Sequence, residues 1–175
     1  MTIAYIVVGL ALLLYVLYMM GPRDYTVERS KSIARPRSEV FSYLRNLKNQ
    51  NDWGPWARMD PNMEQTFTGT DGQVGFISKW KGNNKVGEGQ QEIMRIDENE
   101  VIGTHMTFIK PFKAESDIEL RLKDRGNGET MVTWHMHGKN NSAMSRIFSL
   151  FMNMDKTIGK DFEKGLSNLK EKLEE

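Results

Sequence analysis

The chain has no cysteine. Disulfides, a thiol nucleophile and a zinc–thiolate centre are thereby excluded, although the absence leaves the compartment open. It also lacks a surplus of either charge: 24 Lys and Arg stand against 23 Asp and Glu, a formal net charge of +1. No basic reserve is left to neutralise a phosphate backbone, so nucleic acid is not expected as a partner. Walker, GxGxxG-after-strand, HExxH and GxSxG signatures are all missing. No repeat, low-complexity tract or Pro/Gly/Ser linker divides the chain. Histidine is scarce, with three in all, and only His135-x-His137 is spaced to chelate from a strand face; no further ligand is evident beside it. Neither a metal nor a cofactor is therefore expected.

What is present starts with Ile3 to Met20, an uninterrupted uncharged run that stops at Gly21-Pro22-Arg23-Asp24. At 1.5 Å per residue such a helix is roughly 27 Å long, close to the hydrocarbon thickness of a bilayer. A cleaved signal peptide would carry Lys or Arg before a shorter apolar core and a small-x-small cleavage site. Here Met1 and Thr2 precede the run, and bulky Tyr15, Tyr18, Met19 and Met20 end it. The run is apolar all round, unlike a core helix with a polar stripe, and its tyrosines suit an interfacial belt. Residues 1–22 are read as a transmembrane anchor with the lipid bilayer as partner, and residues 23–175 as one domain. Arg23, Arg29, Lys31, Arg35 and Arg37 follow the run and none precedes it, which places the domain on the cytoplasmic face.

The remaining chain of about 155 residues is long enough for one domain with a real core or a small cavity. Asp24 to Ile33 alternates as a strand, and Val40, Phe41, Leu44 and Leu47 recur at helical spacing after Pro36. Trp53-Gly54-Pro55-Trp56 follows in a short helix or loop. Six strand-like segments come next, punctuated by turn residues: Met63–Thr68, Gly75–Lys81, Val86–Ile96, Val101–Lys110, Ala114–Lys123 and Thr130–His137. The last element is a long helix, Ser142 to Leu173, with an apolar stripe of Phe148, Phe151, Ile158, Phe162, Leu166, Leu169 and Leu173. Only this helix is large enough to cover the apolar face of the antiparallel sheet.

That order, with the residues at its joints, resembles the SRPBCC superfamily of START, polyketide cyclase and related helix-grip domains. The resemblance covers residues 24–173. It rests on Val27-Glu28-Arg29-Ser30 leading to Pro36-x-x-x-Val40-Phe41, the Trp53-x-x-Trp56 pair and Trp80-Lys81-Gly82. Gly87-x-Gly89, Pro111-Phe112, Val132-Thr133-Trp134 and Gly165-Leu166 continue it. The resemblance implies an α+β helix-grip fold, with a seven-stranded antiparallel curved sheet wrapped around the long C-terminal helix and a hydrophobic cavity between them. Its members' uses are diverse, so fold does not name function.

Strand alternation sorts side chains by face. Ala114, Ser116, Ile118, Leu120 and Leu122 share an inner face, opposite Glu115, Asp117, Glu119, Arg121 and Lys123. Val132, Trp134 and Met136 face in; Ile102, Thr104, Met106 and Phe108 do likewise, as do Phe76, Ser78 and Trp80. All three histidines then face out. The expected ligand-binding set is Trp53, Trp56, Phe76, Trp80, Phe108 and Trp134 on or over the sheet, with Phe148 and Phe151 from the helix. Met106, Ile118 and Met136 fill among them, Met144, Met152 and Met154 add adaptable surface, and Gln91 and Ser116 are candidate polar anchors. Asp155 interrupts the helix stripe between Phe151 and Ile158. It is read either as hydrated or paired with Lys156 or Arg146, or as a cavity carboxylate with a desolvation-raised pKa, the one weak catalytic candidate.

The leading expectation is a membrane-tethered, non-catalytic binding domain for a lipid or other small hydrophobic ligand. One alternative is a cyclase- or dehydratase-like enzyme using the cavity carboxylate. Another is an effector-sensing or chaperone-like interaction module, whose protein partner the sequence does not name.

Overall fold

The computed structural model describes residues Thr2–Glu175. Helix α1 (Thr2–Met20) contains no buried residue and stands clear of the rest except at its end, where Leu17 and Tyr18 are half-buried. It is long and apolar enough to cross a membrane. Strand β1 (Asp24–Ile33) starts after a three-residue joint and leads to α2 (Arg37–Leu44), α3 (Gln50–Trp53) and 3-10 turns at Leu47–Asn49 and Trp56–Arg58. Six further strands follow: β2 (Glu64–Thr68), β3 (Ile77–Lys81), β4 (Glu88–Asp97), β5 (Val101–Lys110), β6 (Ala114–Gly126) and β7 (Glu129–Lys139). Two helices, α4 (Ala143–Ser149) and α5 (Met154–Glu174), complete the chain.

All seven strands form one antiparallel sheet in the order β1-β7-β6-β5-β4-β3-β2. Sequential strands from β2 to β7 are neighbours, as hairpin connections dictate, and β1 closes the far edge against β7. The alternation in β6 and β7 is clean: Ser116, Ile118, Leu120, Leu122, Val132, Trp134 and Met136 are buried on the concave face. Helix α5 lays Phe162, Leu166 and Leu169 on that face, and α2 adds Val40, Phe41 and Leu44 to the same core. Leu47, Phe76 and Ile93 form a separate small cluster near the β3–β4 end.

The C-terminal segment departs from the single helix expected over Ser142–Leu173. The chain breaks between Ser149 and Met154 because Asn153 adopts an extended conformation and caps the next helix, its side-chain oxygen accepting from Lys156 N at 2.8 Å. Capping offers the backbone a better local partner than continued helix. Helix α4 is capped in turn by Ser142 and Ser145, which bond each other's backbone N–H reciprocally.

Edge strand β1 is covered by α5, which latches along it through polar contacts. Lys31 Nζ donates to Ser167 Oγ at 2.8 Å, Lys170 Nζ to Ser32 O at 3.1 Å, and Ala34 N to a Glu174 carboxylate oxygen at 2.6 Å. Covering an edge in this way removes a template for strand addition.

Candidate ligand-binding cavity

Between the concave sheet face and α5 lies a cavity of about 500 Å³. One end is closed by an aromatic cluster. Trp134 stacks on Phe162 with centroids 4.1 Å apart, Trp53 meets Trp134 edge-on at 5.0 Å, and Trp56 meets it at 5.8 Å. Across the cavity Trp80 and Phe108 make another edge contact at 5.5 Å. Every tryptophan of the chain thus belongs to its wall.

The rim is built from three connections. The β5–β6 turn gives Pro111 and exposed Phe112, the β3–β4 loop gives Lys85 and Val86, and the α4–α5 break gives Met152 and Met154. Lys85 and Asp161 are the ionisable side chains of opposite sign in the wall, Lys85 exposed and Asp161 half-buried on α5. Two buried polar atoms in the wall, Trp53 Nε1 and Ser116 Oγ, have no hydrogen-bond partner among the described residues.

Of the residues singled out from sequence, Trp53, Trp56, Trp80, Gln91, Met106, Phe108, Ser116, Ile118, Trp134 and Met136 all line this one space. Four do not. Phe76 precedes β3 and packs in the small cluster with Leu47 and Ile93, stacked at 6.0 Å on Phe67. Phe148 and Phe151, 56% and 77% exposed, face outward, because the break before α5 takes them out of phase with Phe162. Asp155, exposed at the start of α5, is not part of the wall.

Its partner is Arg29 of β1, a residue distant in sequence. Arg29 Nη1 and Nη2 donate to the two Asp155 carboxylate oxygens at 2.8 and 3.1 Å, and Nε donates to Glu163 at 2.7 Å. Of the two readings of Asp155, the raised pKa is reversed, since the Arg29 hydrogen bonds hold it below the usual carboxylate range. The same partners raise the Arg29 guanidinium. Neither Lys156 nor Arg146 is the cation, and Asp155 is no candidate acid/base for the cavity.

Sequence reasoning missed Asp161, Tyr25 and Phe112 as wall residues. Asp161 lay outside the expected stripe, Tyr25 was legible only as an apolar strand position, and Pro111-Phe112 only as a turn. The histidines sit on the convex face, where His105 Nδ1 lies 2.8 Å from Asp117 Oδ1. Among the described residues no group of three or more acidic or histidine side chains is placed to hold a metal ion.

Residues 24–174 match the family model described as polyketide cyclase / dehydrase and lipid transport. The chain belongs to this family. The polyketide cyclase / dehydrase and lipid transport fold is also found in solved structures of low sequence identity. Norcoclaurine synthase from Thalictrum flavum, in complex with dopamine and hydroxybenzaldehyde, superposes with a TM-score of 0.63 at 8% identity, covering 90% of this chain and 90% of that one. A Chromobacterium violaceum protein gives 0.61 at 11% identity, covering 86% and 97%. A Thermobifida fusca protein gives 0.53 at 18%, covering 84% and 91%. No curated protein matches the sequence.

Proposed function

We propose that this member of the family is a membrane-tethered binding domain for a small hydrophobic ligand. Residues 1–22 act as the anchor and residues 23–175 as the binding domain on the cytoplasmic face. The observation that carries this reading is the cavity of about 500 Å³, of a size for one small ligand and walled mainly by apolar residues, eight aromatics and five methionines among them. The family's description, which includes lipid transport, and a similar fold in complex with two small molecules support it.

The anchor gives the ligand a source. Arg146 of α4 is buried against the end of α1, donating through Nε and Nη2 to Gly21 O at 3.1 and 2.8 Å and lying 4.3 Å over the Tyr18 ring. Beyond Arg146, α4 exposes Met144 and Phe148, and the chain then runs through exposed Phe151 into the cavity rim at Met152 and Met154. An apolar rim held within a few residues of the anchor draws its ligand from the bilayer rather than from water. Mass spectrometry of protein extracted in native lipid tests the reading. A stoichiometric co-purifying lipid-like molecule, lost when Trp134→Ala opens the wall, is expected; a ligand-free protein that takes up none from added lipid extract would sink it.

The half-buried Asp161 favours one alternative, an enzyme of the cyclase or dehydratase kind that uses this carboxylate to move a proton on a bound substrate. Asp161→Asn separates the two readings: a binder keeps its ligand unchanged, whereas an enzyme accumulates unconverted substrate in the cavity.

A further inference from the structure

The sheet register places four polar side chains of the cavity wall, Tyr25, Ser116, Gln91 and Ser78, on a single cross-strand row, while Gln50, Asn51, Gln65, Lys85 and Asp161 line the cavity elsewhere. Tyr25 of β1 pairs with Gly138 of β7, Gly138 with Ser116 of β6, Ser116 with Met106 of β5, Met106 with Gln91 of β4, and Gln91 with Ser78 of β3. All but Gly138 line the cavity. Gly138 has a reason to lack a side chain. A Cβ there would stand 2.4 Å from the Tyr25 hydroxyl, so the phenol lies across Gly138 towards the strand that carries Ser116. The rows on either side carry one polar side chain each: Val27, Met136, Ile118, Thr104 and Ile93 on one, Ala114, Phe108, Gly89, Trp80 and Gln65 on the other.

This row has unspent hydrogen-bonding capacity. Ser116, 3% exposed, has no partner for its hydroxyl. Gln91 is fixed by one bond, its Nε2 donating to Thr104 Oγ1 at 2.9 Å, which leaves a second N–H and a carbonyl oxygen. No charged side chain stands on the row. The two charged wall residues, Lys85 and Asp161, belong to the β3–β4 loop and to α5 rather than to the sheet. An ionised group docked on the row would lose its hydration with no counter-ion on the row itself, which costs far more than a neutral donor or acceptor that finds a partner.

We infer that the ligand is an uncharged amphiphile: an apolar body interrupted by a hydroxyl or carbonyl oxygen that docks on the row formed by Tyr25, Ser116, Gln91 and Ser78. A free carboxylate, phosphate or ammonium is disfavoured at that depth. This inference rests on the cavity being a ligand site.

The tryptophans provide the readout, since all four line the cavity and α1 contains none. Full-length protein in phosphatidylcholine nanodiscs is titrated at pH 9 with bromododecanol, bromododecanoate and bromododecyl-trimethylammonium. Tryptophan quenching by bromine is read against probe mole fraction in the lipid. The alcohol is expected to half-quench at a mole fraction about ten-fold lower than either ion, the scale of one satisfied hydrogen bond. Ser116→Ala and Gln91→Leu are each expected to weaken the alcohol about five- to ten-fold and to leave the ions unchanged. Ser116→Ala removes only an unpartnered hydroxyl, so it carries the test even if Gln91→Leu fails to fold. Equal or tighter quenching by either ion, or an alcohol response untouched by Ser116→Ala, overturns the inference while leaving the cavity as a binding site. Absence of quenching by all three probes overturns the cavity reading itself.

Discussion

Gly159 of α5 leaves the space in which the Arg29 guanidinium lies: a Cβ at Gly159 would stand 2.1 Å from Arg29 Nη2. Asp155 and Glu163 sit one helical turn before and after that glycine, so one bare position lets a single arginine take both carboxylates.

The two ways of breaking this bridge are expected to differ. Arg29→Ala removes the cation and leaves Asp155 and Glu163 facing each other. Gly159→Ala displaces the flexible guanidinium but returns about 1 kcal/mol of helix propensity. Thermal unfolding followed by circular dichroism should therefore place Gly159→Ala above Arg29→Ala. The reverse order would mean that the close packing at Gly159, rather than the charge pairing, holds α5 to β1.

Acid sensitivity follows from the same region. Asp155, through Arg29, and Glu174, through the Ala34 backbone N–H and Lys170, are both held below the ordinary carboxylate range. A carboxylate depressed in the folded state stabilises it above its unfolded pKa, and that contribution is lost as pH falls through the lower folded value. The melting temperature should thus fall below about pH 4, and Asp155→Asn should show a shallower fall than wild type between pH 6 and pH 3. Parallel curves would show that Asp155 contributes nothing to the acid limb.

The antiparallel sheet and twelve of the cavity residues were legible because alternation and turn residues are local signals. Trp134, Met136 and Ile118 each alternate with charged or polar neighbours, and that pattern has one solution once a face is buried. The Arg29–Asp155 pairing was not legible, because β1 and α5 are brought together only by the completed sheet. Asp155 was read from its helical phase with Phe162, whereas Gly159 and Glu163 at four-residue spacing put it on the side of α5 that meets Arg29. Phe148 and Phe151 were misplaced because Asn153 restarts the helix, shifting the residues before it relative to Phe162. Its signal was present in sequence: an Asn followed two residues later by an acidic side chain in the first turn.

Trp134 carries both wall and core. It touches Trp53, Trp56 and Phe162, and the α5 backbone packs against it at Gly165. Trp134→Ala should cost about 3–5 kcal/mol in unfolding free energy, the range for truncating a large buried aromatic. A chemical-denaturation midpoint near wild type would indicate that the cavity wall collapses to fill the space.

Phe148 and Phe151 should behave in the opposite way. A Phe148→Ser, Phe151→Ser double variant is expected to unfold within about 0.5 kcal/mol of wild type per site and to keep its tryptophan emission. A blue- or red-shifted emission maximum would reveal that α4 shapes the cavity after all.

Arg146 is the sharpest handle on the joint between helix and domain. Arg146→Ala removes charge-assisted bonds to Gly21 O, worth about 1.5–3 kcal/mol together with the stacking on Tyr18. Limited trypsin digestion should then cut faster after Arg23, whose carbonyl is otherwise held by Asn140 N at 2.8 Å. Unchanged cleavage would show that Asn140 alone keeps the joint closed.

That joint has a mechanical meaning. A flexible linker would let the domain tumble above its attachment point, decoupling the two. Because Arg146 and Asn140 grip the backbone at Gly21, Pro22 and Arg23, the helix and the domain turn together as a lever about a stiff elbow. Under the proposed anchoring, the tilt that a bilayer imposes on α1 sets the angle at which the cavity opening meets the surface, and membrane thickness becomes a variable that the domain registers through its posture.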